Sequence, residues 1–192
     1  MEELNVKHVI ISNQDEDSKN YQRFKQIVNN KKIKVIVVKK GQSIHIENDV
    51  YFDILWPHNS NKICENKLNN NSIVCKMYYK NFSMLFTGDI EEIAEKQIIE
   101  DYKNNIQIFN STVLKVAHHG SKTSSSEDFL NVVSPKIALI GVGENNKFGH
   151  PNNEVIDRLL GEECKIYRTD QNGEISIVVN NKGKIVIKKC IE

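Results

Sequence analysis

The run Phe82-Ser-Met-Leu-Phe86 is apolar on both of its faces, and only a strand inside a sheet buries both. It forms one arm of a hairpin, since Ser72 to Tyr79 and Phe82 to Thr87 flank the turn Lys80-Asn81. A second hairpin precedes it, with Ile44 and Ile46 before Asn48-Asp49 and Val50, Phe52 and Ile54 after. Trp56-Pro57 ends that hairpin, and a polar loop runs to about Asn71. Nearer the start, Val6 to Ser12, which is β-branched and alternates little, reads as a buried strand, and Lys34 to Val38 as another strand, closed by Gly41. Between them Tyr21, Phe24, Ile27 and Val28 fall on one helical face.

After Phe86 the pattern changes to strand–helix alternation. Ile90, Ile93, Ala94 and Ile98 make a helical stripe, and Ser111 to Val116 reads as a strand. Phe129, Leu130 and Val133 mark a helix that Ser134-Pro135 stops. Ile137 to Ile140 is a short strand, and Val155, Ile156, Leu159 and Leu160 belong to a helix ended by Gly161. The tail is β: Ile166-Tyr167, then Ile175 to Val179 and Ile185 to Ile187 around Asn180-Asn181-Lys182-Gly183. This order predicts an α/β (α+β) domain, a sheet layered with helices, rather than a doubly wound nucleotide fold. Neither GxGxxG nor GxxxxGK[ST] occurs, so dinucleotide and Walker-type phosphate loops are excluded.

Length and charge narrow the function classes. A chain of 192 residues suffices for one domain with a substantial core. With 26 basic and 25 acidic residues the net charge is +1, which excludes a strongly basic nucleic-acid coat but leaves room for a local phosphate-binding groove. The lysine clusters at Lys31, Lys32, Lys34, Lys39 and Lys40 and at Lys182, Lys184, Lys188 and Lys189 read as solvated edges. No stretch reaches the roughly 20 apolar residues of a membrane span, and the acidic N-terminus has no signal-peptide core. The four cysteines, Cys64, Cys75, Cys164 and Cys190, form no CxxC pair, which argues against a structural zinc knot and a disulfide framework. As written, the chain is expected to be soluble and by default cytoplasmic.

Chemistry-bearing residues gather at strand ends. In Thr87-Gly88-Asp89 the glycine permits a sharp turn, and Asp89 would present a carboxylate at the sheet edge, suited to bridging two divalent cations. Alternatively Asp89 caps the next helix, with Glu92 completing a capping pair. Lys115-Val-Ala-His118-His119-Gly120-Ser121 puts two imidazoles at the end of another strand. On an extended segment they would point to opposite sides, one toward a metal and the other toward support or substrate. The alternative is a pair of polar loop histidines, with Ser125 or Ser126 capping the following helix. His150, in Phe148-Gly149-His150-Pro151, could donate a proton to a leaving oxygen, hold a phosphate, or be a surface turn residue. His8, His45 and His58 have no supporting context.

These strings, taken in order, resemble one family. Asn71-Ser72-Ile73-Val74, Met84 to Asp89, Leu114 to Ser121, Phe148 to Pro151 and Arg168-Thr-Asp-Gln-Asn-Gly173 are similar to the metallo-β-lactamase-fold domain of ComEC-type competence proteins, over nearly the whole chain. The resemblance implies an αββα sandwich with a two-metal site (zinc or manganese) at the sheet edges, and nuclease action on single-stranded DNA beside a membrane channel. Asp89 matches the bridging carboxylate and His119 the late histidine ligand, with His118 as fallback. Asn71, Ser121 and Lys122 would orient the phosphate, and His150 would assist the departing oxygen.

One departure matters. The family's HxHxDH cluster, which supplies most metal ligands, occurs nowhere in the chain. Val6 to Ser12 resembles the strand that follows that cluster, so the expectation is a single, N-terminally incomplete domain over 1–192, a partial sandwich, inactive alone. Its implied partners are single-stranded DNA, a membrane channel protein or the missing N-terminal half, and its location in the parent protein would be membrane-associated or extracytoplasmic. The competing expectations are a non-catalytic remnant that binds DNA or a partner, and a hydrolase of the same fold acting on another ester.

Overall fold

Seven strands lie side by side in sequence order in one mixed sheet: β3 (Ser43–Glu47), β4 (Val50–Trp56), β5 (Val74–Tyr79), β6 (Phe82–Phe86), β7 (Val113–Lys115), β8 (Ile137–Ile140) and β9 (Lys165–Arg168). To number them in chain order, β1 (His8–Ser12) and β2 (Lys34–Val38) precede them as a separate parallel pair, and β10 (Ile175–Val179) and β11 (Ile185–Lys189) follow as an antiparallel hairpin. The computed structural model describes residues 3–14, 16–58 and 63–191. Positions 59–62 of the expected polar loop lie outside the described residues.

The sheet divides into two halves. Strands β3 to β6 pair antiparallel through the turns expected at Asn48-Asp49 and Lys80-Asn81. Strands β6 to β9 are all parallel, each joined to the next by a crossover that contains helix. The crossovers carry α3 (Glu92–Asp101), α4 (Glu127–Val133) and α5 (Asn153–Gly161); α1 (Lys19–Asn30) links β1 to β2, and two short helices, α2 (Lys67–Asn70) and α6 (Thr169–Asn172), complete the set. Ser18 caps α1, Ser126 caps α4 and Asn152 caps α5, each accepting a backbone N–H from the first turn.

Side-chain alternation along the strands builds two cores. Leu55, Val74, Leu85, Leu114 and Ala138 face Ala94, Ile98, Phe129, Leu130, Val133, Val155 and Leu159 of the helices. On the opposite face Phe82, Met84, Val113, Ile137 and Leu139 meet Ile177, Val179, Ile185 and Ile187 of the β10–β11 hairpin. An interior strand needs apolar residues on both faces, which is why β6 has them. The fold is a mixed α/β (α+β) arrangement with a central mixed sheet, as the sequence pattern leads one to expect.

Two local expectations differ. The strand foreseen over Ser111 to Val116 narrows to β7, because the Ser111 hydroxyl turns back to donate to the Phe109 carbonyl. The β-branched run Val6 to Ser12 is not the buried strand expected: no residue of β1 is fully buried, and Ile10 is 38% exposed.

Candidate active site

In open α/β sheets, ligands bind outside the carboxyl ends of the parallel strands. That edge is where the motif residues collect, because Thr87-Gly88-Asp89 leaves β6, His118-His119-Gly120 follows β7, and Gly141 follows β8. The first two turns are locked together. The Thr87 hydroxyl donates to the Lys115 carbonyl at 2.6 Å, and the His118 N–H donates to the Gly88 carbonyl at 3.1 Å.

Gly88 is required here by both space and conformation. Its φ is +56°, and a Cβ on it would stand 2.6 Å from the Cβ of Ser72, whose hydroxyl accepts the Asp89 N–H. Gly88→Ala is expected to cost about 2–4 kcal/mol of folding stability through left-handed strain and overpacking, read from the urea midpoint.

Asp89 is not a helix cap. Helix α3 begins at Glu92 with Glu91 in the cap position, and no side chain caps it. The Asp89 carboxylate instead faces the imidazole of His119, Oδ1 to Nε2 at 3.8 Å, with both side chains close to half exposed. The other ring nitrogen of His119 lies 2.6 Å from the Gly141 carbonyl. A carbonyl only accepts, so Nδ1 carries a proton, and Nε2 is the ring nitrogen that faces Asp89. Orientation of a histidine by a backbone carbonyl behind it is the usual arrangement for an imidazole that binds a metal.

His118 and His119 diverge, but not as neighbours on an extended strand. Both have left-handed backbone, φ 46° and 56°, in a tight turn after β7. Gly120 continues that turn at φ +80°, where a Cβ would stand 2.6 Å from the Cβ of Pro151. Non-glycine residues held in this region mark a backbone that the surroundings over-determine. His118 turns away from Asp89. Its Nδ1 sits 3.5 Å from Glu91 Oε1, too poorly aligned for a hydrogen bond, and its ring meets the His150 ring edge-on at 5.8 Å.

Glu91 is held by a polar network that the sequence does not announce. Its carboxylate accepts from the Asn66 and Asn70 amides and from the Thr123 hydroxyl. Burial alone would raise its pKa, yet Asn66, Thr123, Asn70 and the His118 ring together hold it below the usual carboxylate range.

The expected phosphate ligands fare differently. Asn71 is buried, and its amide clasps the loop by donating to the Ile63 and Lys67 carbonyls and accepting the Ile63 N–H. Ser121 is buried as well, its hydroxyl paired with that of Thr123 at 3.0 Å. Both expectations are therefore corrected: their polar groups face other parts of the fold, and of the three only Lys122 is exposed.

His150 stands at the rim against His118. Burial, then the neighbouring His118 and His119 rings, push its pKa below the ordinary histidine value, which favours a neutral imidazole. A residue missed by sequence reading is Lys115. It lies on the hairpin side of β7, its ammonium donates to the Val116 carbonyl, and burial lowers its pKa against the opposing pull of Asp89. The available signal was a lysine ending an otherwise apolar strand just before the paired histidines. His58 belongs elsewhere, paired with Asp101 at 2.6 Å beside Lys40.

Asp89 and His119 fit as two ligands of one cation, because donors about 2.1 Å from a tetrahedral ion lie roughly 3.4 Å apart. Among the described residues no group of three or more His, Cys, Asp or Glu side chains converges. Each ion of a two-metal centre needs about four to six donors, so these residues alone do not fit such a centre.

The fold is similar to that of a solved Parabacteroides distasonis protein described as a metal-dependent hydrolase. The TM-score is 0.51 at 13% identity, over 85% of this chain and 76% of that one, which speaks for the fold alone. By sequence the chain is similar to segments of longer proteins, one of them named a competence protein. The chain is 35% identical over 145 residues, 76% of its length, to ComE operon protein 3 of Bacillus subtilis. It is 34% identical over 134 residues, 70% of its length, to competence protein ComA of Neisseria gonorrhoeae. It is also 34% identical over 133 residues, 67% of its length, to recombination protein 2 of Haemophilus influenzae. The chain spans 18%, 18% and 15% of the lengths of these three. No protein-family model matches it. No helix among the described residues is long and apolar enough to cross a membrane.

Proposed function

We propose that this chain is part of a metal-dependent hydrolase domain of the competence type, acting on the phosphodiesters of single-stranded DNA. The observation that carries the reading is the oriented donor pair: His119, fixed from behind by Gly141, presents Nε2 to Asp89 at 3.8 Å. The pair supplies two ligands to a divalent cation, zinc or manganese, whose other ligands come from outside the described residues. With the donors of these residues alone, the chain does not hydrolyse its substrate.

The chain's own groups have assignable tasks. Asp89 and His119 would hold the cation as two of its ligands. Lys115 lies within electrostatic reach of Asp89, and its ammonium would offset negative charge at the reacting phosphate. Lys122, exposed on the loop after the histidine turn, would attract the strand. His150, as a neutral ring, would donate its N–H toward the departing oxygen rather than act as a charged acid. His118 serves as support, turned toward Glu91 and His150.

A non-catalytic domain that binds DNA or a protein partner is the second reading, favoured by the lack of a third converging donor among the described residues. The two separate when the chain is supplied with a segment carrying an HxHxDH cluster and assayed with manganese or zinc. The panel should hold a single-stranded oligonucleotide, a simple phosphodiester and a lactone. Metal-dependent release of shorter DNA supports the proposal. Turnover of the lactone alone would keep the enzyme class and replace the substrate, and no turnover with any of them would favour the binding domain.

A further inference from the structure

We propose that Phe148 is a stacking platform for a nucleobase, seating the nucleotide next to the phosphate that the Asp89–His119 edge would receive; this rests on the DNA reading above. Phe148 is the most exposed large apolar side chain described, at 83%. An isolated surface phenylalanine needs no explanation, but this one is mounted. Its ring stacks on His150 with centroids 5.9 Å apart and planes 19° from parallel, and His150 in turn meets His118 of the histidine turn.

The loop beneath the ring is built to hold still. The Asn146 side chain grips the backbone of His150 on both sides of its Cα, donating to its carbonyl at 2.7 Å and accepting its N–H at 2.9 Å. The same amide donates to Gly143, which closes the loop on itself. The loop is also seated on the site. Pro151 packs against Gly120 so closely that a Cβ there would clash, and the Asn152 N–H donates to the Gly120 carbonyl at 2.9 Å. A rigid aromatic presented outward beside a phosphate site is the combination by which proteins hold single-stranded nucleic acid without reading its sequence. His150 lies to one side of the ring, and the rest of the ring is open to a base. Lys147 beside it adds a cation for the strand.

The test uses the 192-residue chain and a dye-labelled oligothymidylate of about 12 nucleotides, with binding followed by anisotropy at fixed low salt. Phe148→Ala is expected to weaken binding about 10- to 100-fold, as loss of one base-stacking ring does. Phe148→Trp should keep the affinity, and its indole emission should be quenched by the oligonucleotide over a constant signal from buried Trp56. An abasic strand of equal length should bind the wild-type chain more weakly and leave that indole unquenched. Equal affinity of the wild type and Phe148→Ala would overturn the stacking role while leaving the DNA reading intact. An equal loss on the abasic strand would overturn it too. If the wild-type chain bound no single strand at all, the DNA reading would fall and take this inference with it.

Discussion

Asp89→Ala is expected to lower metal-dependent cleavage of single-stranded DNA by about a thousandfold or more, measured on the chain supplied with a segment carrying an HxHxDH cluster. The size follows from what the carboxylate does not do. It caps no helix, and the turn that carries it is fixed by Thr87, Gly88 and Ser72 rather than by its own oxygens. Removing it therefore takes away a ligand with little effect on the fold, and the variant's thermal midpoint should match the wild type. His119→Gln tests the same pair from the other side and should show a comparable loss. Cleavage that persists unchanged in Asp89→Ala would remove this residue from the chemistry, whatever the metal dependence.

The largest effect on stability is expected from Glu95→Ala. Glu95 is fully buried, and its two oxygens accept the backbone N–H groups of Ser125 and Ser126, the latter at 2.8 Å. Burial pushes its carboxyl up, against the Ser126 and Ser125 donors and the nearby Arg158. Alanine would leave both donors buried without acceptors, at about 1–3 kcal/mol each, so the expected loss is about 4 kcal/mol. In a domain of this size that is a drop of about 10 °C in Tm by calorimetry. The loss should reach the site as well. Glu95 anchors to α3 the loop that follows the histidine turn, while the Ser124 hydroxyl ties that loop to the Ala117 and Ser121 carbonyls. A midpoint within a degree or two of the wild type would show that the two amides find other partners.

What the sequence made legible was governed by local rules. The doubly apolar run at Phe82 to Phe86 is an interior strand, with Leu85 facing the helices and Phe82 and Met84 facing the hairpin. The turns at Asn48-Asp49 and Lys80-Asn81 fall where strand pairing needs them. The placement of Asp89 and His119 at one sheet edge follows from strand order, since β6 and β7 are parallel neighbours.

The illegible parts depend on partners far away in the chain. Nothing in two consecutive histidines signals left-handed backbone; that conformation comes with the bond to Gly88 and the packing of Pro151 on Gly120. Asn71 was expected from the resemblance to orient a phosphate, yet it is buried, with its side-chain amide engaged by Ile63 and Lys67. Glu95 sits in a helix rich in charge and looks exposed until the amides of Ser125 and Ser126 arrive from thirty residues on. Lys115 was overlooked because a terminal strand lysine ordinarily points to water.

The functional reading rests on Asp89 and His119 sharing one cation, and paramagnetic broadening by manganese tests that even when binding is weak. Trace Mn2+ added to the isotope-labelled chain should first erase the NMR signals of Asp89, His119 and Gly141, and the double variant Asp89→Asn, His119→Gln should lose that effect. Broadening that begins elsewhere, or that survives unchanged in the double variant, would mean that the two side chains do not form a cation site.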